Sequence, residues 1–93
     1  MITAIVLIKG ERDKLPETAE AMTQVKGVSE VYSVAGEYDL VAIIRVKEHD
    51  QLAEIMTGHL LKMEGIVATN TLVAFKSFSK VDLDRMWEIG LEQ

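Results

Sequence analysis

Apolar positions along the chain fall into blocks whose period switches between that of a strand and that of a helix. Ile2 to Ile8 is an unbroken aliphatic and β-branched run, as expected of a central strand buried on both faces. Leu15, Ala19 and Met22 then recur at i, i+4 and i+7. They predict a helix capped by Asp13, with Pro16 in its first turn and its end near Lys26-Gly27, where glycine suits a left-handed cap. Val28 to Ala35 reads as a second strand. Gly36-Glu37 makes a tight connection through Tyr38-Asp39 into a third strand, Leu40 to Val46, so these two strands pair antiparallel. Leu52, Ile55, Met56, His59, Leu60 and Met63 form one stripe on a second helix, from about Asp50 to Lys62, that closes at Glu64-Gly65. Ile66 to Phe78 is read as a long fourth strand. Val67, Thr69, Thr71, Val73 and Phe75 lie on one face of it, and Ala68, Asn70, Leu72, Ala74 and Phe78 on the other. Leu83, Met86, Trp87 and Leu91 fit a short helix in the tail, Val81 to Leu91, with Gly90 weakening its end.

The order β-α-β-β-α-β is the split β-α-β pattern of a ferredoxin-like α+β domain. Right-handed crossovers put both helices on one face of a four-stranded antiparallel sheet and leave the other face bare. Ile5, Leu7, Val41, Ile43, Leu72 and Ala74 would line that bare face. This is more contiguous apolar surface than a monomer leaves in water, so the expectation is a homo-oligomer, at least a dimer packed sheet to sheet.

Composition narrows the picture further. Ninety-three residues make one domain, and no stretch long enough to cross a bilayer is free of charge. The apolar start lacks a basic leader, so no signal peptide and a cytoplasmic location are expected. Without cysteine there are no disulfides, thiol nucleophiles or zinc-thiolate sites. A net charge of −5 argues against direct nucleic-acid contact, which needs a basic face.

Catalytic chemistry is hard to assemble from these residues. His49 and His59 are not at the i, i+4 spacing of a helical zinc pair, and no acid/base pair is identifiable, so neither a metal nor a cofactor is expected. His59 reads first as a residue at the edge of the apolar stripe. The most informative segment is Gly36-Glu37-Tyr38-Asp39, which brings a glycine, two carboxylates and a phenol to one turn. A carboxylate and free backbone N–H groups suit the two ends of a zwitterion, and the Thr69 and Thr71 hydroxyls add donors and acceptors. The same residues also fit a plain structural role, with Tyr38 packing, Asp39 capping the turn and the threonines simply favouring a strand.

The stretch Val31-Tyr32-Ser33-Val34-Ala35-Gly36-Glu37-Tyr38-Asp39-Leu40 resembles the effector (RAM) domain of the Lrp/AsnC, or feast/famine, transcriptional regulators. Gly65-Ile66-Val67-Ala68-Thr69-Asn70-Thr71, about 25 residues on, shares that resemblance. It covers residues 1–78 and leaves 79–93 as a tail. It implies a stand-alone RAM protein without the helix-turn-helix that reads DNA. Such proteins form dimers that assemble into rings, commonly octamers, with amino-acid effectors between dimers. By position, Gly36, Tyr38 and Asp39 match the turn motif, with Glu37 in its variable place, and Thr69 and Thr71 match the strand motif. The resemblance also raises His59 as a contact for the ligand side chain. A full-length Lrp/AsnC regulator is the implied partner. Two other readings stay open: a small dimeric α+β barrel enzyme of monooxygenase or isomerase type, and an assembly module that binds no ligand.

Overall fold

A computed structural model describes residues 1–80. The elements in chain order are β1 (Ile2–Gly10), a 3-10 turn (Arg12–Lys14), α1 (Leu15–Thr23), β2 (Val28–Ser33), β3 (Leu40–Val46), α2 (His49–Gly58), a second 3-10 turn (Leu60–Lys62) and β4 (Ile66–Val73). The strands form one antiparallel sheet in the order β2-β3-β1-β4, the ferredoxin-like arrangement expected from the pattern. The aliphatic first strand takes a central place, where both its edges are hydrogen-bonded.

Side chains alternate across the sheet with period two. Ala4, Val6 and Ile8 of β1 and Leu40, Ala42, Ile44 and Val46 of β3 are buried beneath Met22 of α1, Leu52 and Ile55 of α2, and Leu60. Both helices therefore cover the same face. On the opposite face lie Ile5 and Leu7 of β1, Val41 and Ile43 of β3, and Leu72 of β4, with Ile5 paired to both Ile43 and Leu72. These side chains are half-buried, or exposed in the case of Leu72, as the sequence pattern predicts.

The two β-α-β halves interlock through the glycines that follow their helices. A Cβ at Gly27, whose φ is +101°, would stand 2.6 Å from Ile55 Cδ1 of the other half's helix. A Cβ at Gly65 would overlap Thr18 Oγ1 of α1. Each glycine thus lets its strand pass directly beneath the helix of the opposite half.

Several boundaries differ from the sequence reading: β1 runs on past Ile8 to Gly10, and α1 ends at Thr23, short of the expected Lys26-Gly27. Asp13 does not cap a helix: it lies in the 3-10 turn, and α1 begins at Leu15 after Lys14, with Pro16 in its first turn. That turn lets the chain leave β1 while Glu11 N–H donates to Gly65 O at 2.9 Å. The second helix stops at Gly58 instead of running to Lys62. Its start is held by Gln51, whose Oε1 accepts from the backbone N–H groups of Lys47 and Glu48. The second strand ends at Ser33, two residues short of Ala35. β4 ends at Val73, five residues short of Phe78, with Ala74 N–H still donating to Thr3 O at 2.9 Å. Phe75 and Phe78 lie beyond it, fully and largely exposed. The expected tail helix, Val81 to Leu91, falls outside the described residues.

Candidate functional site

The chain connecting β2 to β3 is anchored at both ends. Val34 N–H donates to Asp39 O at 3.0 Å, and Asp39 N–H donates to Ile8 O at 2.8 Å. The Asp39 carboxylate also accepts, through Oδ2, from Gly10 N–H at 3.0 Å. Asp39 thus fastens the loop to the last residues of β1, which is the turn-cap role its residue type suggests. One carboxylate oxygen is committed to this bond.

Between these anchors the loop is open. Gly36 has φ +120°, and a Cβ there would meet nothing within 4 Å. Among the described residues, no acceptor is matched to the backbone N–H groups of Ala35, Gly36, Glu37 and Tyr38. Glu37 is exposed. Tyr38 folds back over the sheet face that the helices leave open, where its hydroxyl accepts from Asn70 Nδ2 at 3.5 Å. The Lys9 ammonium lies 5.8 Å from the centre of its ring.

The two threonines sit elsewhere. Thr69 is opposite Ile8 and Thr71 opposite Val6, so both project toward the helices. Thr71 Oγ1 there meets Met56 Sδ at 3.9 Å. Successive side chains of β4 separate the two sets, Asn70 toward Tyr38 and Thr71 toward α2. The seven residues expected at the site therefore do not converge in one chain. His59 is the residue that ends α2, with φ −129°, and its side chain is exposed while Leu60 takes the fully buried position. Among the described residues the His59 ring hydrogen-bonds to neither the turn nor the threonines.

Residues that the sequence reading did not single out complete the surroundings. Lys9 and Asn70 bracket Tyr38, and Met56 receives Thr71. Alternation along β4 already separated Asn70 from the threonines. Nothing in the sequence paired Asn70 with Tyr38, a residue 32 positions away. At the far end of the open face, Tyr32 donates to Glu30 and Arg45 pairs with Glu30 at 3.3 Å. The Tyr32 hydrogen bond, then Arg45, hold the Glu30 carboxyl below its ordinary pKa, while Glu30 raises that of the Tyr32 phenol. A hollow of about 360 Å³ lies beside this group, lined by Met1, Thr3, Arg45 and the segment from Ala74 to Ser77. Among the described residues no group of three or more His, Asp or Glu side chains could hold a metal ion. No described helix is long and apolar enough to cross a membrane.

Comparison with known proteins matches residues 3–82 to the Lrp/AsnC ligand binding domain. The chain belongs to the Lrp/AsnC family. An uncharacterised HTH-type transcriptional regulator of Pyrococcus horikoshii is 34% identical over 76 residues, 78% of this chain and 51% of that protein. The chain thus spans about half the length of this curated relative. A crystal structure of a Thermus thermophilus protein superposes with a TM-score of 0.81 at 41% identity, covering 86% of this chain and 100% of that one. A feast or famine regulatory protein of M. tuberculosis, solved in complex with L-methionine, shares the fold with a TM-score of 0.70. It is 22% identical and covers 86% of this chain and 54% of that one. The family description is of a ligand-binding domain, and the curated relative is named a transcriptional regulator, so the family's role is regulatory rather than enzymatic.

Proposed function

We propose that this chain is an amino-acid-binding effector module of the Lrp/AsnC type that modulates regulators of the same family. The observation that carries this reading is the open loop from Ala35 to Tyr38, with its unmatched N–H groups, held rigid at its base by Asp39. Free N–H groups accept a carboxylate, and the uncommitted oxygen of Asp39 accepts an ammonium. The bound L-methionine of the tuberculosis relative supports an amino acid as the ligand class.

Because Thr69 and Thr71 project to the helix face and Tyr38 to the open face, a small ligand that touches both sets is held between copies of the chain. Gly36, Glu37, Tyr38 and Asp39 of one copy then take the ligand's charged ends. Thr69, Thr71 and His59 of a neighbouring copy read its side chain. The dimer forms through the open face, where Ile5, Leu7, Val41, Ile43 and Leu72 make one apolar patch, and dimers assemble further into a ring such as an octamer. A ligand held between subunits favours the assembly that holds it, by its difference in affinity for the two states.

The test is a thermal-shift screen against the twenty amino acids at millimolar concentration, with light scattering on each hit. A selective rise in Tm with a change in mass supports the module, since only binding to the native state raises Tm. No response across the panel overturns it. An Ile43→Lys variant that remains folded but runs as a monomer, with the response lost, places ligand binding in the assembly.

A further inference from the structure

Both oxygens of the Glu30 carboxylate are engaged by the chain's own side chains. One accepts from the Tyr32 hydroxyl and the other from Arg45 Nη1 at 3.3 Å. Sheet register sets this cluster against the apolar patch. Glu30 is opposite Ile43 and Tyr32 opposite Val41, so β2 flanks the same two residues that Ile5 and Leu7 flank from β1. Arg45 follows Ile43 on the same face, opposite Thr3. Among the described residues the strands carry no other carboxylate on this face, whereas a second cation, Lys76, borders the same hollow as Arg45. Glu30 is therefore the group that balances charge at this end of the sheet. The other described ion pair, Lys14 with Glu11, joins neighbours on one turn.

A charge that stays in water gains little from such an arrangement, whereas a charge that loses water is tolerated only when paired and hydrogen-bonded. Resting on the sheet-to-sheet pairing given above, we propose that Glu30, Tyr32 and Arg45 form a neutral polar inset in the interface with a second copy of this chain. The inset carries the contact from the apolar patch across β2. Glu30 neutralises Arg45, and Tyr32 satisfies the oxygen that Arg45 does not reach, so the face is covered without stranding a charge. The facing surface needs to supply only apolar or neutral groups there. A partner that presents an unmatched charge at this point is disfavoured, so the inset acts on the choice of partner as well as on strength.

The experiment sediments the full chain over a dilution series and reads the concentration at which monomer appears. It compares the parent with Glu30→Gln, Arg45→Met, the double variant and Tyr32→Phe, each checked for the parent's far-ultraviolet circular dichroism. None of the three side chains is buried in the single chain, so the variants are expected to keep that spectrum. Glu30→Gln strands Arg45 in the interface, and monomer is expected at a concentration roughly tenfold higher or more. Arg45→Met strands Glu30 and should weaken association on the same scale. The double variant removes both charges and should return to within about threefold of the parent, the non-additivity expected of a coupled pair. Tyr32→Phe should show a smaller loss than Glu30→Gln. Unchanged association in both single variants overturns the inset and leaves the sheet pairing standing. A double variant as weak as the two single losses combined also overturns it. A parent that stays monomeric at every concentration overturns the sheet pairing and the inset with it.

Discussion

The carboxylate of Asp39 accepts a hydrogen bond from the backbone N–H of Gly10 at 3.0 Å, across 29 residues of sequence. It is the side-chain bond that joins the β2–β3 loop to the end of the central strand. Asp39→Ala leaves the half-buried Gly10 N–H without its acceptor and is expected to lower stability by about 1–2 kcal/mol in urea unfolding. Asp39→Asn keeps an oxygen in place and is expected to retain most of that stability. It lacks the charge for an ammonium, so its amino-acid affinity falls further than its stability does. Equal losses in the two measurements would assign Asp39 to the turn alone.

The passage of the chain beneath α1 at Gly65 leaves no room for a methyl group against Thr18. Gly65→Ala is expected to destabilise by about 1–3 kcal/mol, the usual range for overpacking. Thr18→Ala removes the overlapping hydroxyl, so in a double-mutant cycle the pair is less destabilised than the sum of the single changes. Strict additivity would show that the clash is relieved elsewhere.

Leu60 and Leu61 are adjacent and chemically identical, and the 3-10 turn after α2 gives them opposite fates. Leu60 is fully buried, whereas Leu61 is 55% exposed. Leu60→Ala is expected to cost about 2–5 kcal/mol. Leu61→Ala should stay within about 0.5 kcal/mol of the parent, as surface changes do. Denaturant midpoints of the two variants check the rotation of this turn directly.

Glu30, Tyr32 and Arg45 predict a pH signature. The Glu30 carboxyl is lowered, first by the Tyr32 hydroxyl and then by Arg45. What it adds to stability is therefore intact above the unfolded carboxyl pKa and lost as pH falls through its folded value. The Tyr32 phenol is raised by Glu30, so its share is intact below the unfolded phenol pKa and lost as pH rises through the folded one. Carbon-detected NMR titration should place Glu30 below and Tyr32 above their ordinary ranges. Tyr32→Phe should move Glu30 back upward. An unchanged Glu30 in that variant would assign its shift to Arg45 instead.

Much of this molecule was legible along the chain. Period-two and helical spacing located all four strands and both helices. The unbroken run at Ile2–Ile8 marked the central strand, and alternation on β3 named the residues of the open face, Val41 and Ile43. Local periodicity suffices there because each element must bury one face, and the burial leaves its period in the sequence. The ends of elements were less legible. α2 stops where Leu60 must turn into the core, a condition set by other parts of the chain.

The site divides along the same line. The residues at the turn could be named from sequence because Gly36, Tyr38 and Asp39 match the turn motif of the family that the sequence resembles. Which side of the sheet each one faces could not, because it follows from pairing across β1. Asp39 meets Gly10, Tyr38 meets Asn70, Lys9 lies over Tyr38, and Thr71 meets Met56, all through long-range contacts. Sequence by itself determined the fold, whose periodic burial is a local property of each segment. Only the tertiary structure decided that the turn and the threonines lie on opposite faces of the sheet, since strand register is a property of pairs of segments and appears in neither alone.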